Sequence, residues 1–406
     1  MTNTNAIQTK RLITLYVLGF LTVFGYAFAR PCIDSIFLEH YSNDDLPAAW
    51  LLTSLLSAVV IAIYNRYNQR YAILHLYGAT SVICASLLAI LLLAYSLGFI
   101  PAIFLLYIWK EIYMVVLMET YWSFADIVFS ITTAKHNYGW AMAISSLGGV
   151  LGNLIVGPFA KQVGTPLALS SLIVFLLMGL GVAYFGRKLA DEKPSVKEKN
   201  QIGFGIKVLF SSRYLVPLAI LACTVQVITA LIDYRFNGML QENYVNTDVR
   251  TEVLGFIHAA VNVIGISIQL FMAVILRVFG IGTTFKSIPF LMSLVMLLFV
   301  LLPHFAIMVV VKIANKALDY SLFRGVKEIL YIPLTREEKT QGKGLIDIFM
   351  YRLARGLSSI LLMGMIAVGM ASYVMELSLA FSLLWLLLAA IIAQRYRSLV
   401  KTAEES

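Results

Sequence analysis

The chain has 406 residues, of which 60% are hydrophobic and 13% charged, with a formal net charge of +9. A mean hydropathy of +0.84 excludes a soluble globular domain of this length. Apolar runs too long for buried core helices recur at nearly even spacing, without the strict alternation of barrel strands, so the composition describes a polytopic all-α membrane protein whose partner is the lipid bilayer. The basic residues fall mainly in short loops and at the C-terminal end, which topology explains without a nucleic-acid partner.

Twelve transmembrane helices are predicted, at roughly 12 to 38, 46 to 64, 71 to 96, 100 to 129, 138 to 159, 165 to 186, 213 to 236, 251 to 277, 283 to 302, 304 to 331, 344 to 369 and 372 to 394. The polar lead MTNTNAIQTKR carries no small-residue cleavage site and does not read as a removable signal peptide. Arg66, Arg70, Lys135, Arg187, Lys188, Arg277, Lys286, Arg336, Lys339, Lys343, Arg395, Arg397 and Lys401 fall on one side of this arrangement. The other side holds Glu39, Asp44, Asp45, Glu242, Asp248 and Glu252, with few basic residues besides Lys161 and Arg250. The positive-inside rule then makes both termini cytoplasmic, in agreement with an even number of spans.

The one long polar segment, GRKLADEKPSVKEKNQIG at residues 186 to 203, divides the chain into an N-terminal half (1–186), a linker (187–212) and a C-terminal half (213–406). The halves are alike. Ile33 and Asp34 precede Phe37, Glu39 and Tyr41, just as Ile232 and Asp233 precede Phe236, Glu242 and Tyr244; Asp126–Ile127 is matched by Glu328–Ile329. A parallel six-plus-six pseudo-repeat of this kind is the architecture of major facilitator transporters, in which the substrate sits near the midplane.

Charges at bilayer depth concentrate in four predicted spans. The first has Arg30 and Asp34; the fourth has Lys110, Glu111, Glu119 and Asp126; the seventh has Asp233 and Arg235; the tenth has Lys312, Lys316, Asp319, Arg324, Lys327 and Glu328. Each charge near the bilayer centre costs about 2.5 to 3.5 kcal/mol on insertion scales, so such residues usually face a bundle interior or a watery cavity. The stretch from Phe305 to Leu334 reads as one long helix of about 45 Å, more than the roughly 30 Å hydrocarbon core. On it Lys312, Lys316, Asp319 and Lys327 share one face, with Lys316 and Asp319 close enough to pair, while Glu111, Glu119 and Asp126 line a comparable acidic face of the fourth span. Pro31 suggests a local break between Arg30 and Asp34. Candidate substrate-binding residues are therefore Arg30, Asp34, Glu111, Glu119, Asp126, Asp233, Lys312, Lys316, Asp319, Arg324 and Lys327, with Glu111 and Asp233 as candidate proton-coupling groups.

Other chemistry finds little support. Cys32, Cys84 and Cys223 lie far apart in apolar segments and read as small buried residues, and the five histidines show no metal-ligand spacing. No Walker motif, catalytic triad or cofactor motif is present, so ATP hydrolysis and enzyme chemistry are not expected. The small residues of AISSLGGVLGN, from Ser145 to Gly152, suit close helix packing.

The segment WKEIYMVVLMETYWSFADIVFSITTAKHNYGWAMAISSLGGVLGN resembles the fourth-to-fifth helix region of the ATP/ADP carrier protein family, nucleotide translocases of intracellular bacteria and plastids with free-living relatives. LIDYRFNGMLQENY and LDYSLFRGVKEILYIPLTREEKTQGKGLIDIFMYRL are similar to its seventh and its tenth-to-eleventh helices. The resemblance implies a twelve-helix major facilitator fold in a bacterial inner membrane, with Glu111 as the family's fourth-helix glutamate, Asp233 in place of an acidic seventh-helix residue and Lys327 as the tenth-helix lysine. In the first helix Ile33 stands where nucleotide carriers tend to have lysine, and the chain is shorter than typical exchangers. The expected function is secondary transport, by alternating access, of a small organic anion such as a nucleotide or phosphorylated metabolite. The alternatives are proton-coupled transport of another polar solute, such as a carboxylate-type metal chelate, and a receptor or scaffold that has lost transport.

Overall fold

The computed structural model describes residues 2–68, 70–129, 131–189, 202–335 and 337–405. Helices are α1 (Thr2–His40), α2 (Leu46–Asn68), α3 (Ile73–Ser96), α4 (Pro101–Val128), α5 (Ile131–Val163), α6 (Thr165–Ser170), α7 (Leu172–Gly186) and α8 (Ile202–Ser211). They continue as α9 (Leu215–Asn243), α10 (Thr247–Phe279), α11 (Ile281–Leu301), α12 (Phe305–Leu318), α13 (Arg324–Leu330), α14 (Tyr351–Ala367) and α15 (Val374–Glu405). The described residues contain no strand, as expected where lipid offers the backbone no hydrogen-bond partner. Among the described residues ten helices are long and apolar enough to cross a membrane, α6 and α7 counting together as one. The two remaining predicted spans, 304–331 and 344–369, are helical but interrupted.

Those interruptions correct the reading of Phe305–Leu334 as a single helix. Asp319–Phe323 is a π-helical turn between α12 and α13, and the chain leaves the helix at Tyr331. Two further π-helical segments, Glu338–Gly342 and Leu345–Met350, precede α14. A π turn holds one residue more than an α turn, so everything beyond Asp319 is rotated by roughly 100° from the regular register. The face drawn through Lys312, Lys316 and Lys327 at regular periodicity is broken there. The break expected at Pro31 is absent: α1 runs through it to His40. Proline is tolerated in such helices because neighbours re-satisfy the freed backbone groups. Of the predicted linker, residues 190–201 lie outside the described residues, and Ile202–Ser211 forms the helix α8.

The chain forms two compact units. Unit 1 comprises Met1–Ser42, Leu55–Lys197 and Tyr244–Asn262, and unit 2 comprises Asn43–Ser54, Glu198–Asn243 and Val263–Ser406. Within unit 1, α1 packs against α4, α5 and α7, and α3 packs against α7. Within unit 2, α9 packs against α12, α14 and α15, and α11 packs against α15. In unit 1 the packing centres on α1 and in unit 2 on α9, the two helices that carry the Ile–Asp pairs.

Close approach in unit 1 depends on the small residues of α5. A Cβ on Gly148 would lie 2.6 Å from the Phe20 carbonyl oxygen, and one on Gly152 would lie 2.6 Å from that of Phe24. Only glycine lets α1 and α5 meet at this distance, which gains dispersion contacts where lipid supplies no hydrophobic drive. The corresponding connections α5–α6 and α14–α15 both turn on glycines at positive φ, Gly164 at 85° and Gly369 at 73°. Cys32 and Cys84 are buried and Cys223 is half-buried.

Candidate functional site

In unit 1 the charges converge between α1 and α4. Lys110 is 1% exposed and ion-paired with Asp34; its Nζ also lies 3.7 Å from Glu111 Oε1 and 3.7 Å from the centre of the Tyr107 ring. Arg30 Nε is 3.7 Å from Asp34 Oδ2, and the Tyr26 hydroxyl donates to Glu111 Oε1 at 3.4 Å. A buried ammonium is tolerated only when paired, and here two carboxylates and an aromatic face surround it. Apolar helix faces bring these groups together: Ile33, Ile36 and Phe37 of α1 and Ile108 and Leu117 of α4 are all nearly inaccessible. The Phe37 and Tyr107 rings meet at 4.7 Å between centroids.

Unit 2 repeats the theme between α9 and α12. Asp233 Oδ1 accepts from Lys312 at 2.6 Å and Oδ2 from Lys316 at 3.0 Å. Lys312 is 2% exposed and lies 4.7 Å from the centre of the Phe236 ring, three residues beyond the aspartate. Asn315 Nδ2 donates to Thr229 Oγ1 at 3.3 Å, a second polar tie between the same helices. Both units therefore pair an aspartate on the first span of the half with a lysine on the fourth.

The remaining candidates are placed differently. Lys316 reaches Asp233 across to α9, and Asp319 has Arg324, Lys316 and Lys327 as cationic neighbours. Arg324 is exposed and lies 5.0 Å from the Tyr320 ring centre. Lys327 donates to Asp347 Oδ1 at 2.8 Å, and Glu328 accepts from Lys343 at 2.5 Å on the exposed surface. Glu119 and Asp126 are exposed on α4, and Glu111 is half-buried in the cluster.

Lys110, Tyr26 and Asp347 are the groups that the candidate set lacked. Lys110 had a signal in the internal repeat: it follows Asp34 by 76 residues, as Lys312 follows Asp233 by 79. Asp347 sits within the GKGLID stretch but its partner is set only by the fold. Among the described residues no group of histidine, cysteine and carboxylate side chains has the arrangement of a metal site.

Comparison with known proteins bears on the same segments. A family model described as TLC ATP/ADP transporter matches residues 301–396, which contain Lys312, Lys316, Lys327 and Asp347. The chain is 21% identical over 308 residues to ADP,ATP carrier protein 3 of Rickettsia bellii (strain RML369-C), covering 63% of this chain and 61% of that protein. It is 25% identical over 232 residues to ADP,ATP carrier protein 1 of Chlamydia pneumoniae, covering 51% of this chain and 45% of that one. The chain thus spans less than two thirds of the length of either relative. In fold it is similar to a bacterial homologue of the iron transporter ferroportin in its inward-facing state, with a TM-score of 0.69 at 11% identity over 96% of this chain and 98% of the other. It is also similar to the nucleoside transporter NupG, with a TM-score of 0.57 at 14% identity over 97% and 99%. This chain is a multi-pass membrane protein with the major facilitator fold, and its sequence resembles the ATP/ADP carrier proteins across the helices that carry the basic half of its charged site.

Proposed function

We propose that the protein is a secondary transporter that moves a small organic anion, a nucleotide or another phosphorylated metabolite, by alternating access across a bacterial inner membrane with both termini in the cytoplasm. The observation that carries this reading is the buried charge in unit 2, where Lys312 and Lys316 share the single carboxylate of Asp233. With Asp319 and Arg324 counted beside them, three cations stand against two carboxylates, a local surplus of positive charge and the complement of an anion. A scaffold would be expected to replace such pairs with apolar residues, since buried ion pairs are weak contributors to stability. The likeness to ADP,ATP carrier proteins supports a nucleotide as the first substrate to test.

In this reading Lys312 and Lys316 bind the anionic group, Lys110 and Arg30 hold Asp34 and Glu111 in place, and Lys327 with Asp347 orders the segment leading into α14. Purified protein in proteoliposomes should exchange labelled ADP or ATP for internal nucleotide. Absence of exchange for every nucleotide and phosphorylated metabolite, together with uptake of another solute driven by an imposed pH gradient, would overturn it in favour of proton-coupled transport.

A further inference from the structure

Asp233 uses each of its carboxylate oxygens on a different lysine, Oδ1 on Lys312 and Oδ2 on Lys316, at 2.6 and 3.0 Å. Two oxygens of a substrate carboxylate or phosphate would engage the same two ammonium groups in the same way. The neighbouring Asn315–Thr229 hydrogen bond, at 3.3 Å, ties α12 to α9 independently of the aspartate, so the carboxylate can turn away without parting the helices. In unit 1 Asp34 likewise meets two cations, Lys110 at Oδ1 and Arg30 at Oδ2, and Lys110 has Glu111 beside it as a second carboxylate.

Resting on the anion-transport reading above, we propose that Asp233 is a built-in placeholder for the substrate's anionic group. In the unloaded protein it occupies Lys312 and Lys316, and the substrate binds by displacing it. Asp233 is then a positioning residue that acts through the lysines. It offsets charge on two lysines, and by competing with the anion it lowers affinity and permits release.

The test is calorimetric titration of the purified full chain with ADP, ATP and inorganic phosphate, for wild type, Asp233→Asn and Asp233→Glu, alongside nucleotide counter-exchange in proteoliposomes. Asp233→Asn removes the competing charge and should bind the anion about tenfold more tightly or better, because the lysines no longer need to be vacated. Its exchange rate should fall, and Asp233→Glu, which restores a carboxylate, should return both quantities toward wild type. Binding to Asp233→Asn that is no tighter than to a binding-competent wild type overturns the placeholder and leaves the anion reading standing. No binding of any probe to either protein overturns both. If Asp233→Asn does not fold, the wild type still decides: infrared difference spectra on adding the probe should show a shifted carboxylate band that changes again in Asp233→Glu, and unaltered carboxylate bands overturn the proposal.

Discussion

Lys110 of α4 is bonded to Asp34 of α1 at a position 1% exposed, and the relation recurs in the second half between Lys312 and Asp233. The two pairs are the strongest internal likeness of the halves, and they differ in what surrounds them. Each aspartate meets a second cation, Asp34 in Arg30 and Asp233 in Lys316, and Lys110 has in addition a second carboxylate in Glu111.

Removing one member of the first pair should be far more harmful than removing both. Lys110→Met leaves Asp34 and Glu111 without their central cation and should destabilise the protein by about 3 kcal/mol or more. The double variant Lys110→Met/Asp34→Leu should recover most of that loss, since matched apolar groups replace a buried pair at little cost. Thermal unfolding of the detergent-solubilised proteins measures this; equal destabilisation of single and double variants would refute the pairing.

Lys327 and Asp347 should behave as a coupled pair on a local scale. A double-mutant cycle with Lys327→Ala and Asp347→Ala should show a coupling of about 1 kcal/mol, within the range for contacting charged residues. Glu328→Gln, at the exposed Glu328–Lys343 pair, should change stability by less than about 1 kcal/mol. A reversal of that order would mean that Lys327 is not held as described.

Glycine replacements on α5 and α7 should separate by packing. Gly148→Ala and Gly152→Ala push a methyl group against the α1 backbone and should each cost about 1 to 3 kcal/mol. Gly181→Ala on α7 has no heavy atom within 4 Å and should be neutral or stabilising by up to about 1 kcal/mol. Unfolding temperatures of the three variants test the contact directly.

Arg250 is the buried basic residue of α10 and is read here as structural. It is 2% exposed and donates to the carbonyls of Tyr244, Val245 and Ser35 at 2.8, 3.2 and 2.9 Å. Arg250→Ala leaves three carbonyls without their donor and should cost about 3 kcal/mol or more. Nucleotide affinity of the protein that remains folded should be unchanged, which calorimetry would check.

Much of the architecture was legible before any coordinates. Burying a charge in lipid is so costly that the positions of Asp34, Lys110, Asp233 and Lys312 along the chain already mark the helices that face an interior. The Ile–Asp pairs at 33–34 and 232–233 likewise expose the repeat, because equivalent helices must place equivalent groups at equal depth. Two features were not legible. α1 runs unbroken through Pro31, and the π turn at Asp319–Phe323 changes register without any residue that announces it.

By itself the sequence determined a helical membrane protein with its charge concentrated in four of the spans, since hydropathy and the cost of charge are properties of each residue in its own segment. Only the tertiary structure decided which charge meets which. Lys110 reaches Asp34 across 76 residues and Lys312 reaches Asp233 across 79, and Lys316 turns to the same aspartate. Partnership depends on helix rotation and packing at a depth of a few ångströms, and a shift of one residue in a π turn is enough to redirect it.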